Sequence, residues 1–376
     1  MSFHPITSSK VDAAQSSEAH INNDHSPIAE MPQSLTNKRG YRWSARRIIK
    51  SILALLLVLV VSTLLLGAKA KADLIAQYPP IGQMVDVGGY SLHIDCQGTG
   101  SPTVIMEAGL GEPSLMWALV QPQIATSTRV CVYDRAGLGW SDKSPKPRTA
   151  DIMVDELHTL LKNANIEGPY VMVGHSTGGM LVRLYAHSYP TDVVGMVLVD
   201  SQHEDQFARL SPAIQQNLKA MFAQSNQTLP LYRILINSGI SVLVPAVAAL
   251  ADNPKLPSPA RETFTALAIS DPKFIEAQAA EQDAIFDSLA VVRAAHITSL
   301  GNIPLVALYR GIDDDPTPGL TPEENKQRWL GLQTELAALS PQGKLVIADK
   351  GGHHIQLDQP NLVIDAIEQV LAATQL

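Results

Sequence analysis

Cysteine is nearly absent from this chain, with two in 376 residues. That excludes a disulfide scaffold and four-cysteine zinc sites, and it leaves room for one disulfide. Charge is also sparse, at 17 % of residues, and the body of the chain carries no large basic block against a net charge of -8. A nucleic-acid partner is therefore not expected. Glycine and proline, 24 and 25 residues, are too few for a collagen-like chain, and 45 % hydrophobic residues exclude wholesale disorder. Long apolar runs are lacking except for one, so a polytopic membrane protein is excluded too. At roughly 150 residues per domain, the length suits one large domain with appendages.

The single run is Ser51 to Ala68, 18 residues without a charge. As a helix it spans about 27 Å, close to the thickness of a bilayer core. Its few polar residues, Ser51, Ser62 and Thr63, make no polar face for a buried helix. The preceding tail, 1–47, is polar and without apolar periodicity, and it is expected to be disordered. Residues 48–68 then read as an uncleaved signal anchor and 69–81 as a linker ending in Tyr78-Pro79-Pro80. Lys38, Arg39, Arg42, Arg46, Arg47 and Lys50 precede the span, against Lys69 and Lys71 after it. The positive-inside rule keeps the tail cytoplasmic and exports the globular part. Cleavage near Ala70, giving a secreted protein, is the alternative.

From residue 82 onward, short β-branched runs alternate with longer helical patterns. Strands are expected at Met84 to Val87, Ser91 to Asp95, Thr103 to Glu107, Arg129 to Tyr133, Tyr170 to Val173, Val194 to Val199, Ile303 to Tyr309 and Lys344 to Ala348. Gly88-Gly89 signals a hairpin between the first two, and helical stretches between the later strands demand parallel crossovers. The expectation is an α/β domain over 82–376 with an antiparallel beginning. Residues 201–301 interrupt the alternation with helical, proline-broken sequence too long for one crossover, and read as a lid.

The sharpest local signal is Tyr170 to Val173 running into Gly174-His175-Ser176-Thr177-Gly178 and straight on into a helical stretch. A strand, a tight turn and a helix in that order expose the Ser176 hydroxyl on strained backbone, with glycines where larger side chains collide. The helix that follows aims its amides and positive dipole end at charge developing there. With this motif the chain resembles the α/β-hydrolase superfamily over nearly everything from residue 82. Three further blocks match in order: Glu107-Ala108-Gly109-Leu110-Gly111, the segment Val132 to Asp142, and Gly351-Gly352-His353-His354 leading to Pro360. The resemblance implies an eight-stranded, mostly parallel sheet with helices on both faces and a helical lid between strands 6 and 7.

It also implies roles. Ser176 would be the nucleophile and His353, selected over His354 by spacing to Pro360, the base. The backbone amides of Leu110 and Thr177 would form the oxyanion hole. Two carboxylates compete for the triad acid. Asp313, at the common offset after the seventh strand, is preferred; Asp200, ending the sixth, is the other. Arg310 stands where many relatives have glycine. By the superfamily's strand order, Cys96 and Cys131 lie on adjacent strands and would form a disulfide. His175 fills a variable motif position and is expected to pack or hydrogen-bond. His158, His203 and His296 read as surface or lid residues. Pairs such as His203 with Asp205 lack further ligands, so neither metal nor cofactor is expected.

A serine nucleophile disfavours haloalkane dehalogenation and epoxide opening, which use aspartate in this fold. The leading expectation is ester hydrolysis through an acyl-enzyme, on a small-molecule substrate with an apolar acyl group suggested by Phe207, Met221, Phe222, Leu231 and Leu243. Amide, lactone or carbon-carbon bond hydrolysis and cofactor-free peroxidation share the constellation. A non-catalytic binding module on the same fold is the other class of explanation.

Overall fold

The β-branched runs form one sheet in the computed structural model, which describes residues 44–374. Its strands are β1 (Gln83–Asp86), β2 (Ser91–Gln97), β3 (Thr103–Glu107), β4 (Val130–Tyr133), β5 (Tyr170–His175), β6 (Val193–Val199), β7 (Leu305–Arg310) and β8 (Gly343–Ala348). Their spatial order is β1-β2-β4-β3-β5-β6-β7-β8. β1 and β4 pair with β2 antiparallel, and every other pairing is parallel. Gly88 and Gly89 turn between β1 and β2 at φ 117° and 95°, values that L side chains resist.

The helices are α1 (Ala45–Gln77), α2 (Gln121–Ile124), α3 (Ala150–Asn163), α4 (Thr177–Ser188), α5 (Pro212–Ser225), α6 (Leu229–Asn237), α7 (Ile240–Leu243), α8 (Pro245–Ala248), α9 (Ser258–Ser270), α10 (Lys273–Asp283), α11 (Ile285–Ala294), α12 (Pro322–Ala337), α13 (Ile355–Asp358) and α14 (Pro360–Thr374). They cover both faces of the sheet, which is why β3, β4 and β5 are buried at every position. Alternate strand residues still serve opposite layers. Ile105, Met172 and Met196 pack with Leu157 of α3, Leu181 of α4 and Leu289 of α11. Val104, Val171 and Val197 pack with Ile124 of α2 and Val363 and Ile367 of α14.

The insert between β6 and β7 is helical, as expected, and runs from α5 to α11. At its far end α11 buries Ile285, Leu289 and Val292 in the layer that also holds α3. Cys96 and Cys131 stand opposite each other on β2 and β4 and are bonded, with Cα atoms 4.0 Å apart.

The apolar run lies within α1, which continues through Gln77, so most of the expected linker is helix and only Tyr78-Pro79-Pro80 breaks it. The large apolar side chains from Ile48 to Leu66 are exposed. Residues up to Ala54 and those from Leu55 on form separate units, and of the first only 44–54 are described. The tail expected to be disordered otherwise lies outside the described residues.

Candidate active site

β5 ends on His175, and Ser176 takes φ 51° and ψ -120° before α4 begins. This left-handed backbone is strained for serine and is held by packing that admits no side chain nearby. A Cβ on Gly174 would lie 2.5 Å from the Gly178 carbonyl oxygen, and one on Gly178 2.5 Å from those of Glu107 and Ala108. The Ser176 amide donates to Val199 O of β6 at 3.0 Å, and its carbonyl accepts from Gln202 N at 2.9 Å. The turn is thereby tied to the adjacent strand end.

His353 reaches Ser176 from the loop after β8, its Nε2 3.0 Å from the hydroxyl Oγ. Its Nδ1 lies 2.6 Å from Asp200 Oδ2. Asp200 is fully buried, at φ 44°, and also accepts from Trp329 Nε1 at 2.8 Å and from the Arg310 amide at 3.2 Å. Arg310 Nε stands 3.2 Å from Oδ2. Burial pushes the Asp200 carboxyl up, but the His353 hydrogen bond and the Arg310 charge outweigh it and hold the group below its ordinary value. An ionised carboxylate only accepts, so the His353 proton sits on Nδ1 and Nε2 faces the hydroxyl as an acceptor.

Of the two expected carboxylates, Asp200 meets the His353 ring, and the preferred Asp313 does not. The Asp313 carboxylate accepts from Asn325 Nδ2 at 2.8 and 2.9 Å. Its neighbour Asp314 takes the backbone N–H of His353 at 2.7 Å. The physical reason for the difference is Arg310: a buried cation at the end of β7 needs a buried anion beside it, and the end of β6 supplies one.

Sequence reasoning missed a second carboxylate. Glu112 Oε2 accepts from the Gly109 amide at 2.9 Å and lies 3.0 Å from His175 Nδ1, while Oε1 lies 2.7 Å from His354 Nε2. One side chain therefore joins the turn after β3, the end of β5 and the histidine loop. Burial raises the Glu112 carboxyl, yet His175 and His354 carry it well below its ordinary value. The same contact lifts His354 above its own, against burial. Burial pushes His175 down against the Glu112 charge, and its ring faces a second acceptor, His353 O at 2.9 Å from Nε2.

Glu281 of the lid helix α10 was also missed. It binds buried Arg135 through Nε at 2.7 Å and Nη2 at 2.8 Å, and accepts from the Gly111 amide at 2.7 Å. Arg135 in turn holds Ala108 O at 2.9 Å and Gly109 O at 2.5 Å. The amides on either side of Leu110 are thus committed to Glu112 and Glu281. Leu110 and Thr177 line a cavity of about 470 Å³ together with Ser176 and His353. Phe207, Met221 and Phe222 form its apolar wall. Leu231 and Leu243, also expected there, are 59 % and 41 % exposed and do not line it. His203 is buried in the segment after β6, with Glu204 and Glu335 around it.

Residues 104–366 match the alpha/beta hydrolase family. The chain belongs to that family. Among relatives, the Bacillus subtilis protein YqjL is 28 % identical over 277 residues, which cover 74 % of this chain and 86 % of YqjL. A thermophilic esterase from Thermogutta terrifontis superposes with TM-score 0.54 at 21 % identity, over 78 % of this chain and 99 % of the esterase. The epoxide hydrolase CorEH superposes with TM-score 0.57 at 16 % identity, over 77 % and 98 %. These identities establish the fold and leave the substrate to be argued from the site.

Proposed function

We propose that the chain is a membrane-anchored serine hydrolase that cleaves carboxylic esters through an acyl-enzyme. The reading rests on one observation above all: Ser176 Oγ, the His353 ring and buried Asp200 are joined by contacts of 3.0 and 2.6 Å. In this reading His353 Nε2 takes the Ser176 proton as Oγ attacks the acyl carbon, and the imidazolium formed is stabilised by Asp200. The amides of Leu110 and Thr177 receive the negative charge that develops on the carbonyl oxygen. His353 then returns the proton to the leaving alcohol. In the second half-reaction it takes a proton from water, whose oxygen attacks the acyl carbon and frees Ser176. Epoxide opening in this fold runs through an aspartate nucleophile, so Ser176 argues against it despite the likeness to CorEH. Phe207, Met221 and Phe222 favour an apolar acyl group.

Residues 48–68 anchor the protein, with the tail inside and the hydrolase domain exported. Protease added to the outside of intact spheroplasts then digests the domain, and protection of the domain reverses the orientation. A fluorophosphonate probe tests the chemistry, because only an activated serine reacts. The expected result is labelling of the wild type and none of Ser176→Ala. An unlabelled wild type overturns the serine-hydrolase reading in favour of a binding module. A panel of aryl esters of increasing acyl length, with amide and lactone counterparts, then tests the ester assignment.

A further inference from the structure

Leu231 and Leu243 belong to a stretch that the proposed reaction leaves unexplained. From Leu229 to Leu250 the chain carries a single charge, Arg233, and Arg233 Nε is paired with Glu276 at 2.7 Å. The stretch folds as α6, α7 and α8, and much of its apolar surface faces outward. Leu231, Tyr232, Ile234, Leu243, Val244 and Leu250 are all exposed, Ile234 at 64 % and Leu250 at 72 %. Outside α1 this is where the exposed large apolar side chains of the described residues concentrate. A concentration of exposed apolar side chains of this kind points to an interaction surface.

The position of the patch identifies its occupant. Gly239, between α6 and α7, lies against Gly67 of α1. A Cβ on Gly67 would stand 2.3 Å from Ser238 O, and one on Gly239 2.3 Å from the Gly67 carbonyl carbon. Gly67 is one residue from the end of the uncharged run, and Lys69 follows two residues later. At 1.5 Å of rise per residue, Gly239 therefore sits about 3 Å along the helix axis from the lysine that marks the headgroup level. A short-helix segment held at that depth, with leucine, isoleucine and tyrosine outward and its one charge neutralised, has the chemistry of an interfacial membrane element.

We infer that α6 to α8 of the lid lie in the boundary between headgroups and acyl chains of the bilayer that α1 crosses. This rests on the anchor reading above and extends it: the lid, and not only the span, contacts lipid. The full-length protein in phosphatidylcholine–phosphatidylglycerol vesicles tests it. Because Cys96 and Cys131 are bonded, single cysteines at Ile234→Cys, Leu243→Cys and Leu250→Cys take an environment-sensitive fluorophore. Leu57→Cys in the span and Lys162→Cys, at an exposed position of α3, serve as references. The labels at 234, 243 and 250 should lose most of their emission to lipids spin-labelled near the glycerol backbone. The label at 57 should lose its emission to lipids labelled mid-chain, and the label at 162 should keep it. Lid labels that keep their emission like position 162, while position 57 is quenched, overturn the inference alone. Lid labels shielded from lipid but cross-linking between copies assign the patch to a second copy and overturn it as well. If position 57 also keeps its emission, the anchor reading falls and takes this inference with it.

Discussion

Arg310 and Asp200 meet at the carboxyl ends of neighbouring strands, with Nε 3.2 Å from Oδ2 and the Arg310 amide 3.2 Å from Oδ1. Both side chains are buried, and Arg310 also lies over the Trp329 ring. The arginine thus supplies the positive partner that keeps a buried carboxylate ionised next to His353. If Asp200 is the triad acid, Asp200→Asn should lower turnover of an aryl ester by about 10⁴-fold, while Asp313→Asn is nearly silent. Steady-state assays of the two variants on one substrate decide between them, and full activity in both removes the triad.

Arg310→Gln probes the same pair through pH. The Arg310 charge is one of the influences lowering the Asp200 carboxyl, and burial works against it. Without the cation the carboxyl rises, so the acid limb of kcat/KM should move to higher pH. An unmoved acid limb would limit Arg310 to packing on Trp329.

His353→Ala should abolish turnover, whereas His354→Ala should be far milder because His354 binds Glu112 and does not touch Ser176. Retained circular dichroism and thermal transition separate loss of chemistry from loss of fold. An inactive His354→Ala beside an active His353→Ala would reverse the assignment.

How much of this was legible depended on sequence distance. The turn at Ser176 is local, a strand, five residues and a helix, so its residues alone predicted the conformation. β3 falls on the expected residues, and the other strands shift by one or two residues at one or both ends. Glu112, by contrast, meets partners 63 and 242 residues away, and Glu281 meets Arg135 across 146. Such pairings exist only once the sheet order is set, and no spacing rule announces them. Arg310 did carry a usable signal. An arginine continuing the apolar run Leu305 to Tyr309 toward the sheet's end implies a buried anion beside it, which points to the adjacent strand's Asp200 and away from the solvated Asp313. The lid's exposed leucines were read as a substrate wall because composition says nothing about which face a side chain takes.

Reducing the Cys96–Cys131 bond, or replacing both cysteines by alanine, should lower stability by about 3 to 4 kcal/mol in the chain-entropy account of a loop of this length. The bond closes 35 residues and joins β2 to β4. Thiol titration of denatured, unreduced protein should find no free thiol, and two reactive thiols would show that the bond does not form.

Glu281→Ala should destabilise the protein by about 1 to 3 kcal/mol, because it leaves Nε and Nη2 of buried Arg135 without their acceptor while Glu107 still balances the charge. It also frees the Gly111 amide beside Leu110. A fall in kcat larger than the rise in KM is expected from a displaced turn, and urea unfolding measures the stability. Stability loss with unchanged kcat would mean that the lid contact does not set the turn's geometry.

The Glu112 cluster predicts a pH-dependent stability whose sign follows from its two partners. Glu112 is held well below its ordinary value of 4.5, so its contribution is complete above that value and is lost as pH falls through the depressed one. His354 is raised above 6.5, so its contribution is complete below that value and is lost as pH rises through the raised one. The pair therefore stabilises most between pH 4.5 and 6.5, the only range in which both conditions hold. Glu112→Gln removes the charge while keeping the size. The difference in Tm between wild type and this variant should be widest inside that window and narrow as pH rises above 6.5 and His354 gives up its proton. A Tm difference that stays constant from pH 5 to 9 would mean that Glu112 acts through its neutral hydrogen bonds, chiefly the one to the Gly109 amide, and not through charge.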